Sequence, residues 1–420
     1  MRNVVARFAL VLSSVIVYHN ALSASFFDDD YQWLVGTWSF RPAQLVAFGS
    51  MTHFYRPVID IYFAAMTPLL SGSSVLFHAA SIALHAANVL VVFALARRIF
   101  AGAEDTVDRY AFSAALFFAV QPSDIDAIAW VGALAEAIGA LFGCLSLLWF
   151  LEWREEHKPA LRVLSVSAFV LALLTHESSV MFLPVLFLAD WLICRRQKDL
   201  ASTLAPYAAV TVVYLAIDLW INSRNYVVSQ GYYTFGSHII TNALNYIDAL
   251  YVGRRDLLNY AVIAIAVVVL LVRGTPRVRF ATCWTLLALA PFLSFNWGNT
   301  ARYLYQPAIG FSLLLAEGML AVDRASGRWA GARARTAVTT GVIALIAIRF
   351  AVFAIANVRD FTERSRVYSD YLGEFREVHG TIPPNTTLVA DPPTRLPYQF
   401  VNAAVQWDYR DPTIRIAPYD

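Results

Sequence analysis

Asp28, Asp29 and Asp30 are adjacent carboxylates. Like charges in such a run repel unless a cation, a proton or an arginine offsets them. Two readings fit: a solvated turn beside a membrane anchor, or a catalytic base or metal ligand held at an interface. Gln121-Pro122-Ser123-Asp124-Ile125-Asp126 brings two further carboxylates, and Thr175-His176-Glu177 sets an acid beside an imidazole. For that last pair, a helix N-cap with a structural hydrogen bond is an equal alternative. Arg302 stands among aromatics in Asn299-Thr300-Ala301-Arg302-Tyr303-Leu304-Tyr305-Gln306-Pro307. A guanidinium there can grip phosphate oxygens or stack on a sugar ring, or it can anchor a helix at headgroup level.

Other polar groups lie inside apolar runs. His78 and His85, seven residues apart, share nearly one helical angle, with Asn88 a turn further on. Hydrogen bonding between helices suits this trio better than metal binding. Glu136 sits within an apolar run and must face protein or a cavity, so it reads as a structural or supporting group.

The elements that position these residues follow from composition. Of 420 residues 58% are hydrophobic and 15% charged, and the mean hydropathy is +0.54. Soluble domains carry about 25% charged residues. Apolar runs near the roughly 20 residues needed to cross a bilayer recur along the chain, which predicts a polytopic all-α membrane protein. A net charge of +2 gives no footprint for nucleic acid, and Cys144, Cys194 and Cys283 have no CxxC spacing to suggest a disulfide framework or zinc cluster.

About eleven spans are read, at 5–23, 74–96, 110–122, 128–151, 161–175, 178–194, 201–221, 258–272, 280–295, 303–321 and 336–356. Lysine and arginine then gather on one side, which places the amino terminus inside and the carboxyl terminus outside. The first span also resembles a secretory signal, but an uncleaved anchor is favoured because it would hold the aspartates at the membrane surface. The aromatic-rich segment after them (Tyr31, Trp33, Trp38, Phe40, Phe48, Phe54, Tyr55) suits a long outer loop with interfacial helices. The third span is short, about 20 Å against a hydrocarbon core of about 30 Å, so Asp124 and Asp126 are expected in a recess. Residues 1–356 thus form the membrane region, and the polar, proline-rich 357–420 a small outer-face appendage with a strand near Thr386 to Ala390.

Taken in order, Phe27-Asp28-Asp29, Tyr55-Arg56-Pro57, Phe77-His78, His85-Ala86-Ala87-Asn88, the Pro122 to Trp130 loop, Thr175-His176-Glu177 and Ala301 to Pro307 resemble the membrane region of the glycosyltransferase C superfamily. The nearest likeness is to its protein O-mannosyltransferase-like branch, including members with tetratricopeptide tails, though no such repeats occur here. The sequence departs from that branch at Gln121-Pro122, where relatives carry His-Pro, at His176-Glu177, where they carry Lys-Glu, and near Leu134, where they carry an arginine.

This resemblance implies transfer of mannose or another hexose or pentose from a polyprenyl-phosphate carrier to an outer-face protein, lipid or glycan. In that frame Asp29 is the favoured base, with Asp28 or Asp30 in support and Asp126 as the second acidic position. Arg56, Arg302, Tyr303, Tyr55, Asp124, Glu177 and His176 are candidates for donor phosphate or sugar, and His78, His85, Asn88 and Glu136 for supporting roles. No cofactor is assigned, and Asp29 and Asp126 could share a divalent cation such as Mg or Mn. A bacterial cytoplasmic membrane is the expected location. A transporter or flippase of lipid-linked saccharide, or a silent membrane scaffold, are the alternatives.

Overall fold

The computed structural model describes residues 2–47, 49, 51, 54–101, 107–195, 199–222, 229–328, 331–389 and 396–417. Phe48, Arg196, Lys198, Arg224 and the Asp391-Pro392-Pro393 turn lie outside the described residues. In lipid the backbone must satisfy its own hydrogen bonds, so the apolar runs become helices. The amino-terminal part contains α1 (Arg2–Tyr18), α2 (Asp30–Ser39), α3 (Ala43–Val46), α4 (Pro57–Leu69) and α5 (Ser74–Ile99). Then come α6 (Val107–Ala119), α7 (Ile125–Ala129), α8 (Leu134–Glu156), α9 (Pro159–Leu173) and α10 (Phe182–Leu188). The remainder holds α11 (Leu200–Asn222), α12 (His238–Tyr251), α13 (Leu257–Arg273), α14 (Pro276–Leu289), α15 (Tyr305–Ser326), α16 (Ala332–His379) and α17 (Tyr398–Tyr409).

The spans read from the sequence fall on mainly helical stretches. Among the described residues 6 helical segments are long and apolar enough to cross a membrane: Asn3–Ser23, Ser74–Ile99, Val131–Glu156, Glu177–Cys194, Leu200–Ile221 and Ala332–His379. The remaining spans correspond to shorter helices, or in α15 to one that carries Glu317, Asp323 and Arg324. The stretch 178–194 is not one regular helix. It runs from a 3₁₀ turn (Glu177–Met181) through α10 into a π turn (Ala189–Cys194), which brings Asp190 against Arg154 at 2.6 Å.

Helix α16, the last of the candidate membrane spans, is 48 residues long and continues past 356 to His379. Its extension beyond 356 stays helical because Val358, Phe361, Ser365, Tyr368, Leu372 and Phe375 recur at helical spacing and are buried. Beyond it, β1 (Thr387–Val389) pairs in parallel with β2 (Arg415–Ala417), with α17 between them in sequence. Leu388 stands opposite Ile416.

Two apolar clusters result. One fills the helical bundle; the other joins Trp33, Phe63 and Phe77 to Tyr368, Leu372, Val401 and Ile416. The carboxyl-terminal segment therefore packs on the segment between α1 and α5. Trp38 and Trp407 stack there at 5.5 Å, and Gly72, at φ +62°, leaves room for the Trp407 ring.

Candidate active site

The aspartate run follows α1 through a 3₁₀ turn (His19–Ser23) and the segment Ala24–Phe27, and then enters α2. The fold sorts its three carboxylates into different environments. Asp30, fully buried, accepts the backbone N–H of Phe27 at 2.8 Å and that of Gly132 at 2.5 Å. These bonds brace the start of α2 against the turn before α8. Asp28 takes a left-handed conformation (φ 45°), and its Oδ1 accepts the Tyr368 hydroxyl at 2.7 Å. Asp29 is left with Oδ1 lacking a close hydrogen-bond partner, while the Trp130 indole N–H and the Arg302 guanidinium on its side favour its ionised form. A Cβ at position 132 would run into that oxygen, so Gly132 permits the approach.

Arg302 lies over the rings of Trp130 and Tyr303, at 4.7 and 5.0 Å, and donates to the Tyr303 hydroxyl at 3.1 Å. Asp126 accepts the backbone N–H groups of Arg302 and Ala301, which ties α7 to the arginine loop. Burial pushes Asp28 up to about 6, against the pull of its Tyr368 hydrogen bond. Asp29 and Asp126 are also raised by burial, opposed by Arg302 at the first and by Arg364 and Arg302 at the second. Asp30 is held well above the carboxylate range by burial and by the charge of Asp29. Burial works against the charge on Arg302, but Tyr303, Asp29 and Glu136 outweigh it and keep the guanidinium protonated.

A second polar layer adjoins the first. Arg56 grips Glu177 through Nε at 3.2 Å and a terminal nitrogen at 2.8 Å, and its guanidinium lies over Phe54. His176 caps the following 3₁₀ turn by accepting the Ser178 N–H at 3.2 Å. Its Nε2 stands 3.4 Å from Glu136, whose other oxygen accepts from Gln306 at 3.3 Å. Burial and the nearby Arg56 push His176 down to about 3, so its imidazole is neutral. Arg56 acts on Asp29, and Glu136 on Arg302, so the two layers share one electrostatic environment.

Other candidates stand elsewhere. Asp124 is fully buried, and its charge acts on Tyr18 and Tyr305 rather than on an arginine. Being in the bundle interior, it does not share the recess expected for it beside Asp126. The Tyr55 hydroxyl donates to the Leu45 carbonyl at 3.2 Å and ties down the outer loop. His85 pairs with the Tyr305 hydroxyl at 2.9 Å, Asn88 donates to the Ala137 carbonyl at 3.0 Å, and His78 lies against the Ala24–Ser25 backbone. Each of these links one helix or segment to another. No group of three or more His, Cys, Asp and Glu among the described residues is arranged to hold a metal ion.

Several site residues carry no warning in the sequence. Gly132 is one glycine among 19, and Tyr368 lies 340 positions from the aspartate it holds. Only Gln306 and Trp130 fall inside stretches that stand out as motifs.

No family model matches the sequence, and no curated protein matches it. Among solved structures the chain is similar to ArnT from Cupriavidus metallidurans bound to undecaprenyl phosphate, with a TM-score of 0.54 and 13% identity over 98% of this chain and 85% of that one. A partial likeness to the arabinosyltransferase EmbB from Mycobacterium smegmatis, with a TM-score of 0.38 and 13% identity over 86% of this chain and 41% of that one, is too low to carry an argument. What the chain shares with ArnT is the fold. It is an integral membrane protein.

Proposed function

We propose that this protein is an inverting glycosyltransferase that moves a sugar from a polyprenyl-phosphate carrier to an acceptor on the extracytoplasmic face. The observation that carries the reading is the sorting of the aspartates: Asp30 and Asp28 are held by hydrogen bonds, and Asp29 faces Arg302. In this reaction the Asp29 carboxylate takes the proton of the acceptor hydroxyl as its oxygen attacks the anomeric carbon. The bond from that carbon to the carrier phosphate breaks, and the polyprenyl phosphate leaves. General-base help of this kind is worth about 100- to 10,000-fold.

Arg302 stabilises the charge developing on the leaving phosphate. It makes no carboxylate ion pair among the described residues, whereas Arg56 is engaged by Glu177. Arg56, Glu177, His176 and Glu136 then shape the layer beside the sugar. The undecaprenyl phosphate bound to ArnT supports a carrier of this chemical class. Residues 1–356 are the catalytic membrane region and 357–420 the outer-face segment. The location is a bacterial cytoplasmic membrane, with the amino terminus inside and the carboxyl terminus outside, and the sugar is mannose or another hexose or pentose.

The test is transfer by purified protein in lipid from a synthetic polyprenyl-phosphate sugar. Asp29→Asn is expected to lose about 100- to 10,000-fold in kcat with expression unchanged. Undiminished transfer by that variant removes Asp29 from the chemistry. Movement of the carrier across the bilayer without a new glycosidic bond replaces the reading with a transporter.

A further inference from the structure

The last membrane-spanning helix, α16, does more than cross the membrane. Along its outer extension, side chains at helical spacing form hydrogen bonds with the chain that leads into the aspartates and with the loop before α7. Asn357 donates to the Pro122 carbonyl at 3.0 Å, and Thr362 to the Asn20 carbonyl at 3.2 Å. Ser365 accepts the Ser25 N–H at 3.1 Å, and Tyr368 donates to Asp28 at 2.7 Å. Between these bonds Phe27 packs edge-on to Phe361 and Tyr368 at 5.5 and 5.8 Å, and to Trp130 at 5.6 Å. The helix thus sets the register of residues 20–28 one bond after another.

At the end of this series stands a strained residue. Asp28 is in the left-handed region, which residues other than glycine seldom occupy without support from their surroundings. The Tyr368 hydroxyl is the side-chain hydrogen bond on its carboxylate, and the Tyr368 ring is fully buried against Phe27 and Tyr31.

We propose that Tyr368 is a positioning residue: by holding Asp28 in its left-handed turn, it aims the neighbouring Asp29 at Arg302. This role rests on the glycosyltransferase reading above and extends its site to the part of α16 beyond residue 356, which the sequence places outside the catalytic region. The charged and titratable groups facing Asp28 are Asp29 and Asp30 on its own segment, Tyr368 and Arg364 on the last helix, and Arg302 on the loop before α15. Tyr368 favours ionised Asp28 and partly offsets the burial that, with this bond in place, holds the carboxyl at about 6. Loss of the hydroxyl therefore extends protonation of Asp28 to higher pH.

The experiment is Tyr368→Phe, assayed for transfer across pH 5–8. A loss of about tenfold in kcat near pH 7 is expected, with KM little changed and the acid limb of the profile moved up by roughly one pH unit. A uniform loss at all pH values, or no loss, overturns the proposal. A double-mutant cycle of Tyr368→Phe and Asp28→Asn, read by thermal unfolding in detergent, measures the contact without activity. Coupled effects are expected, and additive ones overturn the proposal. Wild-type protein that transfers no sugar overturns the functional reading instead, which the cycle distinguishes from a failed contact.

Discussion

Around Arg154 the buried charges are closed on themselves, whereas around Asp29 they are left partly open. Arg154, 6% exposed, makes two bonds to the fully buried Asp190, at 2.6 and 3.2 Å, and a third to Thr203 at 3.2 Å. Asp29 and Arg302 attract one another without forming such a contact, and both are half-buried. A closed pair contributes to the integrity of the bundle and has no capacity left for a ligand. An open pair retains that capacity, which is what a carboxylate needs to take a proton and a guanidinium needs to meet a phosphate.

Three substitutions can break or sharpen this contrast. The largest effect is expected at the closed pair. Arg154→Met leaves Asp190 with an uncompensated charge and should lower stability by about 3–5 kcal/mol, measured by unfolding in detergent. Adding Asp190→Leu should recover most of that loss, and transfer by the surviving fold should stay within a few-fold. Selective loss of kcat at unchanged stability would erase the distinction.

At the open pair the effect should appear in the chemistry. Arg302→Lys keeps a positive charge but loses the planar fork, and kcat should fall about 100- to 1,000-fold in the same transfer assay. Wild-type turnover in this variant would assign the phosphate to another group. The smallest of the three is Gly132→Ala. Its methyl group meets the Asp29 carboxylate and approaches Asp30 Oδ1 at 3.2 Å. Displacing a reacting group by about 1 Å can cost about 100-fold, so kcat should fall by up to that amount. The melting temperature should change little in comparison.

Asp124 and Asp126 show how far a linear reading reaches. Two positions apart on a helical path they diverge by about 200°, so one short turn sends them to opposite sides. Asp126 meets the arginine loop, while Asp124 enters the bundle beside Tyr18 and Tyr305. Both are polar residues in a short apolar hairpin, and nothing in their types separates them. The continuation of the last helix past 356 was, by contrast, within reach of periodicity, since Val358, Phe361, Ser365, Tyr368, Leu372 and Phe375 form a helical stripe. Prolines further along suggest an earlier end than the chain adopts.

Hydropathy is a local property summed over neighbours, so the amino-acid sequence alone determined that this chain folds in lipid, which stretches become helices, and that carboxylates and an arginine flank those helices. It also determined that the segment after the aspartates is aromatic and partly helical. Which aspartate keeps an oxygen without a hydrogen-bond partner was decided only by tertiary structure. The hydrogen bonds that settle the question reach Asp30 from Gly132 and Asp28 from Tyr368, across 102 and 340 positions. Identical side chains in a row acquire different chemistry when distant parts of the chain give each its own partners: a backbone N–H for Asp30, a hydroxyl for Asp28, and the Trp130 indole and Arg302 guanidinium for Asp29.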